Sequence, residues 1–379
     1  MNILFSLTYY FPYTSGLSII AKRLAEKLAL KHKVSALCIQ HEPKLSNQES
    51  VDGVLVTRVK PNIKISKGFL SLDWIFKSWK YVKNTDVLIV CLPQPEAVFI
   101  ILFACLLRKR IISLYLAEVK LRNGLLSGLF EFMLNTTDFI SLNFSHKIVT
   151  YSQEYAQYAN SLRPFQTKVE CIYPPIPKLT ATKKALKKIE DSIDKTFGIR
   201  IGIQARMAED KGFEYLFESL PFIENALGKK VAIIIAGPMD PVGEEKYKEK
   251  IMKEANKIKH SLFFLGNLDQ SEMGSFYKSI DVLVYPSILE SFGLGQVEAM
   301  MLGVPVVSTN LPGNSVPIIR TQLGELVPLK NPKLLAEAIV KIIKNKKNYI
   351  NPEKAAFEFN IEKVMEKYEK LLLSDDRIQ

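Results

Sequence analysis

The stretch Glu290-Ser-Phe-Gly-Leu-Gly-Gln-Val-Glu-Ala-Met-Met-Leu-Gly-Val-Pro-Val-Val307 decides the fold. It reads as a polar loop, a helix opening on small residues, a glycine stop at Gly303 and a short apolar strand. Two carboxylates bracket the helix start: Glu290 in the loop, and Glu298 about one turn (~5.4 Å) inside the helix. The amides of Phe292, Gly293 and Leu294 fall at that start, where unpaired N–H groups and the helix dipole favour an anion. Donors for phosphate and acceptors for hydroxyl groups therefore meet in one short segment. The competing reading makes Glu298 a solvated helix residue and the glycines mere turn-formers.

The same strand–helix alternation extends in both directions. Upstream in the second half, strands are expected at 199–203, 231–236, 262–265 and 282–285, with the strand of the opening stretch at 304–307. Helices are expected at 332–344 and 361–373. The first half carries strand patterns at 2–6, 34–39, 54–59, 87–91, 111–115 and 148–151, and a helix at 16–30. Apolar runs without strict alternation, separated by helices, imply parallel sheets covered on both faces. Tyr173-Pro-Pro-Ile-Pro177 interrupts the pattern, because proline lacks the ladder donor. It reads as a linker with a lysine-rich, exposed lead-in to Lys195, in which Lys183, Lys184, Lys187 and Lys188 form a solvated face. The expected division is 1–175, 176–355 and a last helix in 356–379 that packs back towards the first domain.

Length, 379 residues, suits two domains, and 47% hydrophobic with 24% charged residues suits full cores. Four scattered cysteines and four histidines show no zinc spacing, so a reduced cytoplasmic compartment is expected. The apolar run 97–107 is far short of the roughly 20 residues that span a bilayer and reads as a buried helix. A net charge of +12 points to an acidic partner, either a phosphorylated substrate or anionic lipid. Nucleic acid ranks last, since no motif for it appears.

The opening stretch, with its trailing Gly303-Val304-Pro305-Val306-Val307, resembles the glutamate-x-phenylalanine-glycine … glutamate signature of retaining nucleotide-sugar glycosyltransferases, glycosyltransferase family 4. The resemblance implies a GT-B architecture: two Rossmann-like doubly wound α/β domains facing a central cleft, the first on the acceptor side and the second binding the nucleotide sugar. It also covers Gln204-Ala205-Arg206 with Lys211-Gly212, which is similar to the family's glycine-arginine … lysine-glycine element. Arginine supplies a forked pair of donors and lysine a point charge, a combination suited to a departing diphosphate. Standing alone, Arg206 and Lys211 would read as surface partners of Glu209 or Asp210. A lysine in that loop is expected to add little to a core, so Lys211→Ala should stop turnover without unfolding the chain.

Pro12-Tyr-Thr-Ser-Gly16 is similar to the family's glycine-rich first loop, with Ser15 where glycine is frequent; Ser15 and Gly16 are donor-loop candidates, and Ser15 reads equally as a helix cap. Relatives often carry a histidine and an acidic residue near Tyr115–Leu121. Here Leu116 takes the histidine's place, leaving Glu118 either to bind sugar hydroxyls or to cap a helix near Asn123. Gly237, and Gly266 with Leu268, end strands where relatives frame the base, although glycine there also serves plain turns.

The implied activity is retaining transfer of a hexose from a UDP- or GDP-linked sugar to a glycan or a polyprenyl- or lipid-linked acceptor, in cell-surface polysaccharide or glycolipid synthesis. Arg206 and Lys211 would hold the diphosphate, Glu298 the ribose hydroxyls, and Glu290 with the Phe292–Leu294 amides the sugar. The leaving phosphate would help deprotonate the incoming hydroxyl. No cofactor is expected, and the absence of a D-x-D motif assigns charge compensation to protein donors and not to a metal. The rival functions are a nucleotide-sugar-binding subunit without turnover, prompted by Leu116 and Ser15, and a phosphorylase or epimerase of the same architecture. A stripe of Phe69, Leu72, Phe76 and Trp79 beside Lys77, Lys80 and Lys83 reads as core, with contact to an anionic membrane at its inner face as the alternative.

Overall fold

The computed structural model describes residues 1–65, 68–118, 125–240 and 243–374. The chain divides into two compact units, Met1–Pro175 with Ile361–Gln379, and Ile176–Asn360.

The first unit is built on β1 (Asn2–Ser6), β2 (Lys33–Ile39), β3 (Gln48–Val51), β4 (Val54–Val59), a hairpin of β5 (Ile63–Ile65) and β6 (Gly68–Leu70), β7 (Val87–Leu92), β8 (Arg110–Tyr115), β9 (Lys147–Thr150) and β10 (Val169–Cys171). Eight of these form one sheet in the order β10-β9-β8-β7-β1-β2-β4-β3, parallel except for β3. Every residue of β7 is buried, as a central strand covered on both faces requires. Helices α1 (Gly16–Ala29), α2 (Leu72–Lys83), α3 (Ala97–Leu106), α4 (Leu125–Phe144) and α5 (Gln153–Tyr158) connect the strands.

Strand order reverses between β1 and β7, because β1→β2 runs one way and β7→β8→β9 the other. Right-handed crossovers therefore put α1 on one face of the sheet and α2, α3 and α4 together on the other. Alpha-3 is apolar all round. Its residues Ala97, Ile100, Ile101 and Ala104 are buried, but Phe99, Leu102 and Leu106 are exposed. On α2 the inward residues are Trp74, Ser78 and Val82, and Leu72, Phe76 and Trp79 face out. Two expectations are corrected here: neither the 97–107 run nor the α2 stripe is wholly core. Phe69's side chain, Val119–Leu121 and Asn123 lie outside the described residues.

The second unit holds α6 (Lys183–Asp191), β11 (Ile199–Gln204), α7 (Phe213–Leu227), β12 (Val231–Ala236), α8 (Glu245–Lys257), β13 (Leu262–Gly266), α9 (Gln270–Lys278), β14 (Val282–Tyr285), α10 (Leu294–Met301), β15 (Val306–Thr309), α11 (Val316–Thr321), β16 (Gly324–Val327), α12 (Pro332–Lys344) and α13 (Pro352–Glu358). Its six parallel strands run β13-β12-β11-β14-β15-β16. The β-branched run of β12 is buried throughout. Here the order reverses between β11 and β14. Ligands of doubly wound sheets bind at the carboxyl ends of the strands flanking such a switch.

The lysine-rich lead-in is more than an exposed tail. Thr182 caps α6, its Oγ1 accepting from the Ala185 amide at 3.3 Å, and Ala185 and Ile189 are buried. The four lysines of α6 stay exposed, and Lys188 pairs with Glu272 at 2.9 Å. The C-terminal helix α14 (Ile361–Leu373) belongs to the first unit, where Glu369 meets His32 at 2.9 Å and Arg110 donates to the Leu371 carbonyl at 2.9 Å.

Candidate functional site

The β11–β14 switch point gathers the charged candidates of the second unit. After β11 the chain makes a turn over Glu209–Lys211 that closes on Gly212 in the left-handed region, at φ +64°. A Cβ on Gly212 would lie 2.4 Å from the Pro286 carbonyl oxygen, so glycine lets the loop after β14 press onto this turn. Ile288 then donates its amide to the Asp210 carbonyl at 2.9 Å. That clamp brings Glu290 to Lys211.

Four charges join end to end. Arg206 Nη2 donates to Asp210 Oδ1 at 3.1 Å, Asp210 Oδ2 lies 3.1 Å from Lys211 Nζ, and Lys211 Nζ donates to Glu290 Oε2 at 2.9 Å. The Lys211 side chain is 15% exposed and that of Arg206 43%. Burial works to lower the Lys211 pKa, but the charges of Glu290 and Asp210 outweigh it and raise it. Burial likewise works to raise Asp210, and Lys211 with Arg206 outweighs it downwards. Lys211 and Asp210 therefore stay charged at neutral pH. The Arg206–Asp210 contact is the pairing that the bare sequence offered as the alternative to ligand binding. The expectation that Lys211 adds little to the fold is corrected: it neutralises two neighbouring carboxylates in a largely buried place.

The second half of the site is the start of α10. Gly293 caps it in the left-handed region at φ +76°, and Gln296 reaches back to Asn314, donating to its Oδ1 at 2.6 Å and its carbonyl at 2.9 Å. Asn314 Nδ2 in turn donates to Thr309 Oγ1 at 2.9 Å, and Thr309 to the Ser287 carbonyl at 2.6 Å. This network holds the 287–293 loop between two strands. Phe292 is buried against Phe359, edge to face at 5.9 Å, so its side chain anchors the loop and only its amide faces the helix start.

Glu298 is 6% exposed, which excludes the solvated-helix reading. Its Oε2 accepts from the Tyr277 hydroxyl at 2.9 Å. Tyr285 donates to Gln204 Oε1 at 2.6 Å, and burial, then the charges of Glu290 and Glu298, keep its phenol protonated far above the usual range. Tyr285 thus feels the charge of both carboxylates. Gly295 permits this: a Cβ there would meet the Tyr285 hydroxyl at 2.2 Å and the Tyr277 hydroxyl at 2.8 Å. Gln204, Asp210, Tyr277 and Tyr285 were not singled out as site residues in the sequence, although Gln204 and Tyr285 could have been found as polar groups ending strands.

Gly237 and Gly266 frame the third side. A Cβ on Gly237 would lie 2.1 Å from the Ala205 carbonyl oxygen, and the Gly237 amide donates to the Gly266 carbonyl at 2.7 Å. Close backbone approach, and not turn formation alone, requires Gly237. Leu268 follows in the loop before α9, half-buried. The hollow bounded by Gly198, Lys229 and Lys346 lies at the amino ends of the strands, opposite this edge.

In the first unit Ser15, Gly16 and Glu118 also follow strand ends. Ser15 caps α1 reciprocally with Ser18: its Oγ accepts from the Ser18 amide at 3.2 Å, and Ser18 Oγ accepts from its amide at 2.9 Å. Gly16 has no neighbour within 4 Å of a built Cβ, so nothing within the chain demands glycine there. Glu118 Oε1 accepts from the Asn160 amide at 3.1 Å, so this carboxylate caps the segment at 160. Leu116 is buried.

One buried carboxyl escaped the sequence reading altogether. Glu96 follows β7 at the first unit's switch point, where Ser6 Oγ donates to Gln94 Oε1 at 2.9 Å. Burial raises its pKa from 4.5 to about 7. The folded chain therefore keeps the proton across a range in which the unfolded chain has lost it. Stability falls as pH rises from 4.5 to about 7 and is flat above. The full loss is roughly 3 kcal/mol. Glu96→Gln should accordingly raise the melting temperature at mildly alkaline pH and leave it nearly unchanged near pH 4. Equal shifts at both pH values would remove Glu96 as the source.

Residues 192–359 match the family model described as glycosyl transferases group 1. The matched residues lie within the second unit. Over 360 residues the chain is 26% identical to an uncharacterized glycosyltransferase of Methanocaldococcus jannaschii, covering 89% of this chain and 88% of that one. A phosphatidyl-myo-inositol mannosyltransferase of Mycobacterium leprae is 31% identical over 136 residues, 36% of this chain and 34% of its own. Anabaena HepE, solved with UDP and glucose, superposes with a TM-score of 0.78 at 16% identity, covering 98% of this chain and 99% of that one. The fold is GT-B.

Proposed function

We propose that this protein is a glycosyltransferase that moves a hexose, with retention of configuration, from a UDP- or GDP-linked sugar to a glycan or lipid-linked acceptor at the inner face of the membrane. The observation that carries the proposal is the Arg206–Asp210–Lys211–Glu290 chain beside the start of α10. Lys211 and Arg206 are held at this edge by carboxylates before any donor arrives, so positive charge is already in place for a diphosphate. The resulting leaving group is stabilised by both cations and by the Gly293 and Leu294 amides. Buried Glu298 accepts from the ribose hydroxyls and Glu290 from the sugar. Gly266 and Leu268 frame the base. Relatives that support the acceptor class include the M. leprae mannosyltransferase and the Escherichia coli O-antigen glycosyltransferase WclY, 30% identical over 174 residues.

Thermal-shift titration with UDP, GDP and ADP tests the donor half. One nucleotide should raise the melting temperature above the other two, by about 2.7 kcal/mol of stabilisation at a hundred times its dissociation constant. No shift with any of them would refute nucleotide binding at this edge. NMR of the product's anomeric proton tests the stereochemistry, and an inverted product would exclude the retaining course.

A further inference from the structure

We infer that the outer face of α2, α3 and α4 is a docking surface for a bilayer carrying anionic lipid. These helices lie on one side of the first unit's sheet and pack side by side. An outward helix face in a soluble domain is ordinarily polar, and a helix apolar all round is ordinarily buried. Alpha-3 breaks both rules: Phe99 and Leu106 stand outside, Leu106 71% exposed. Its neighbours extend the apolar face with Leu72, Phe76 and Trp79 on α2 and Phe132 on α4, and Phe76 is 74% exposed. Trp79 meets Phe103 edge to face at 5.3 Å, which joins the α2 and α3 parts into one surface. The opposite face differs, for α1 exposes no large apolar residue and Leu30 stands just past its end.

Charge selects the occupant. Lys80 and Lys83 are exposed on α2, and Arg108 and Lys109 follow α3, with Lys109 Nζ donating to the Lys83 carbonyl at 3.2 Å. Asp73 is engaged with Lys77 at 3.0 Å, Glu131 on α4 is half-buried, and the carboxyls of Glu96 and Asp138 are buried. An apolar, aromatic face with a basic rim matches acyl chains beneath anionic headgroups. A two-fold contact with a second copy would set that rim against itself. Among the described residues no helix is long and apolar enough to cross a membrane, so the surface lies on the bilayer. The inference deepens the membrane placement in the proposed function and rests on residues that take no part in the donor site.

The test is flotation of the full chain with phosphatidylcholine vesicles, with and without phosphatidylglycerol. The wild type should float with the phosphatidylglycerol vesicles, less so at high salt. Phe76→Ser with Leu106→Ser, and separately Lys80→Glu with Lys83→Glu, should each cut the bound fraction about tenfold or more. Both variants should keep the wild-type melting temperature, because all four side chains are exposed. Undiminished flotation of either variant overturns the assignment. So does a wild type that ignores vesicles, and light scattering that shows a dimer lost with Phe76→Ser/Leu106→Ser would give the face to a second copy. Nucleotide thermal shifts on the same samples keep the two proposals apart: docking can fail with donor binding intact, and the reverse.

Discussion

Lys211→Ala should lower transfer by about 10²–10³-fold, the usual effect of losing one donor to a charge that develops in the transition state. It should also destabilise the chain by about 3 kcal/mol, because Asp210 and Glu290 are left as neighbouring carboxylates in a largely buried place. The two losses separate in a second variant. Lys211→Met with Glu290→Gln removes the charge on both sides, leaves Asp210 to Arg206, and should recover most of the melting temperature without recovering transfer. If the double variant regained activity along with its stability, Lys211 would be a structural ion-pair residue and the diphosphate role would fall. Chemical denaturation and steady-state transfer, read on the same preparations, make the comparison.

Gly212→Ala should do nearly as much damage from a position with no charge. An alanine at φ +64° costs about 1–2 kcal/mol in backbone conformation alone. The added methyl also meets the Pro286 carbonyl oxygen at 2.4 Å, and a carbonyl in a strand-end loop has no flexible route of escape. The loop after β14 must then lift, taking with it the Ile288–Asp210 bond and the Lys211–Glu290 pair. Transfer should fall by about tenfold or more as Glu290 and Lys211 part, since small misplacements at a catalytic constellation are costly. Wild-type kinetics and melting in Gly212→Ala would show that the two loops do not depend on this contact.

Much of the second sheet was legible because its strands are unbroken apolar runs between glycine and polar turns. Strand β15 begins at Val306, two residues later than its apolar pattern, since Pro305 has no amide for the ladder and offers only its carbonyl to Leu283 at 2.9 Å. The short edge strands β3, β10 and β16 were missed; few residues with mixed burial leave little periodicity to read. On α2, apolar residues occur on two faces, and periodicity has no means of deciding which face meets the sheet. Packing chose Trp74 and Val82. The 290–307 stretch revealed a helix start flanked by carboxylates, but not that Glu298 is buried on Tyr277 or that Tyr285 feels the charge of both acids.

Local order belongs to the sequence alone: where strands end, where Gly293 must turn, and which loops carry cations or carboxylates. Those are decided by neighbours within a few residues, through backbone sterics and apolar period. The pairing of Lys211 with Glu290 joins groups 79 positions apart, and the exposure of Phe76 and Leu106 depends on which helix face the sheet takes. Distances and burial of that kind are fixed only when the strand order of each sheet brings separate loops to one edge and turns one helix face inward. Coulomb attraction and desolvation act on those distances, so the chemistry of the site was settled by the tertiary structure.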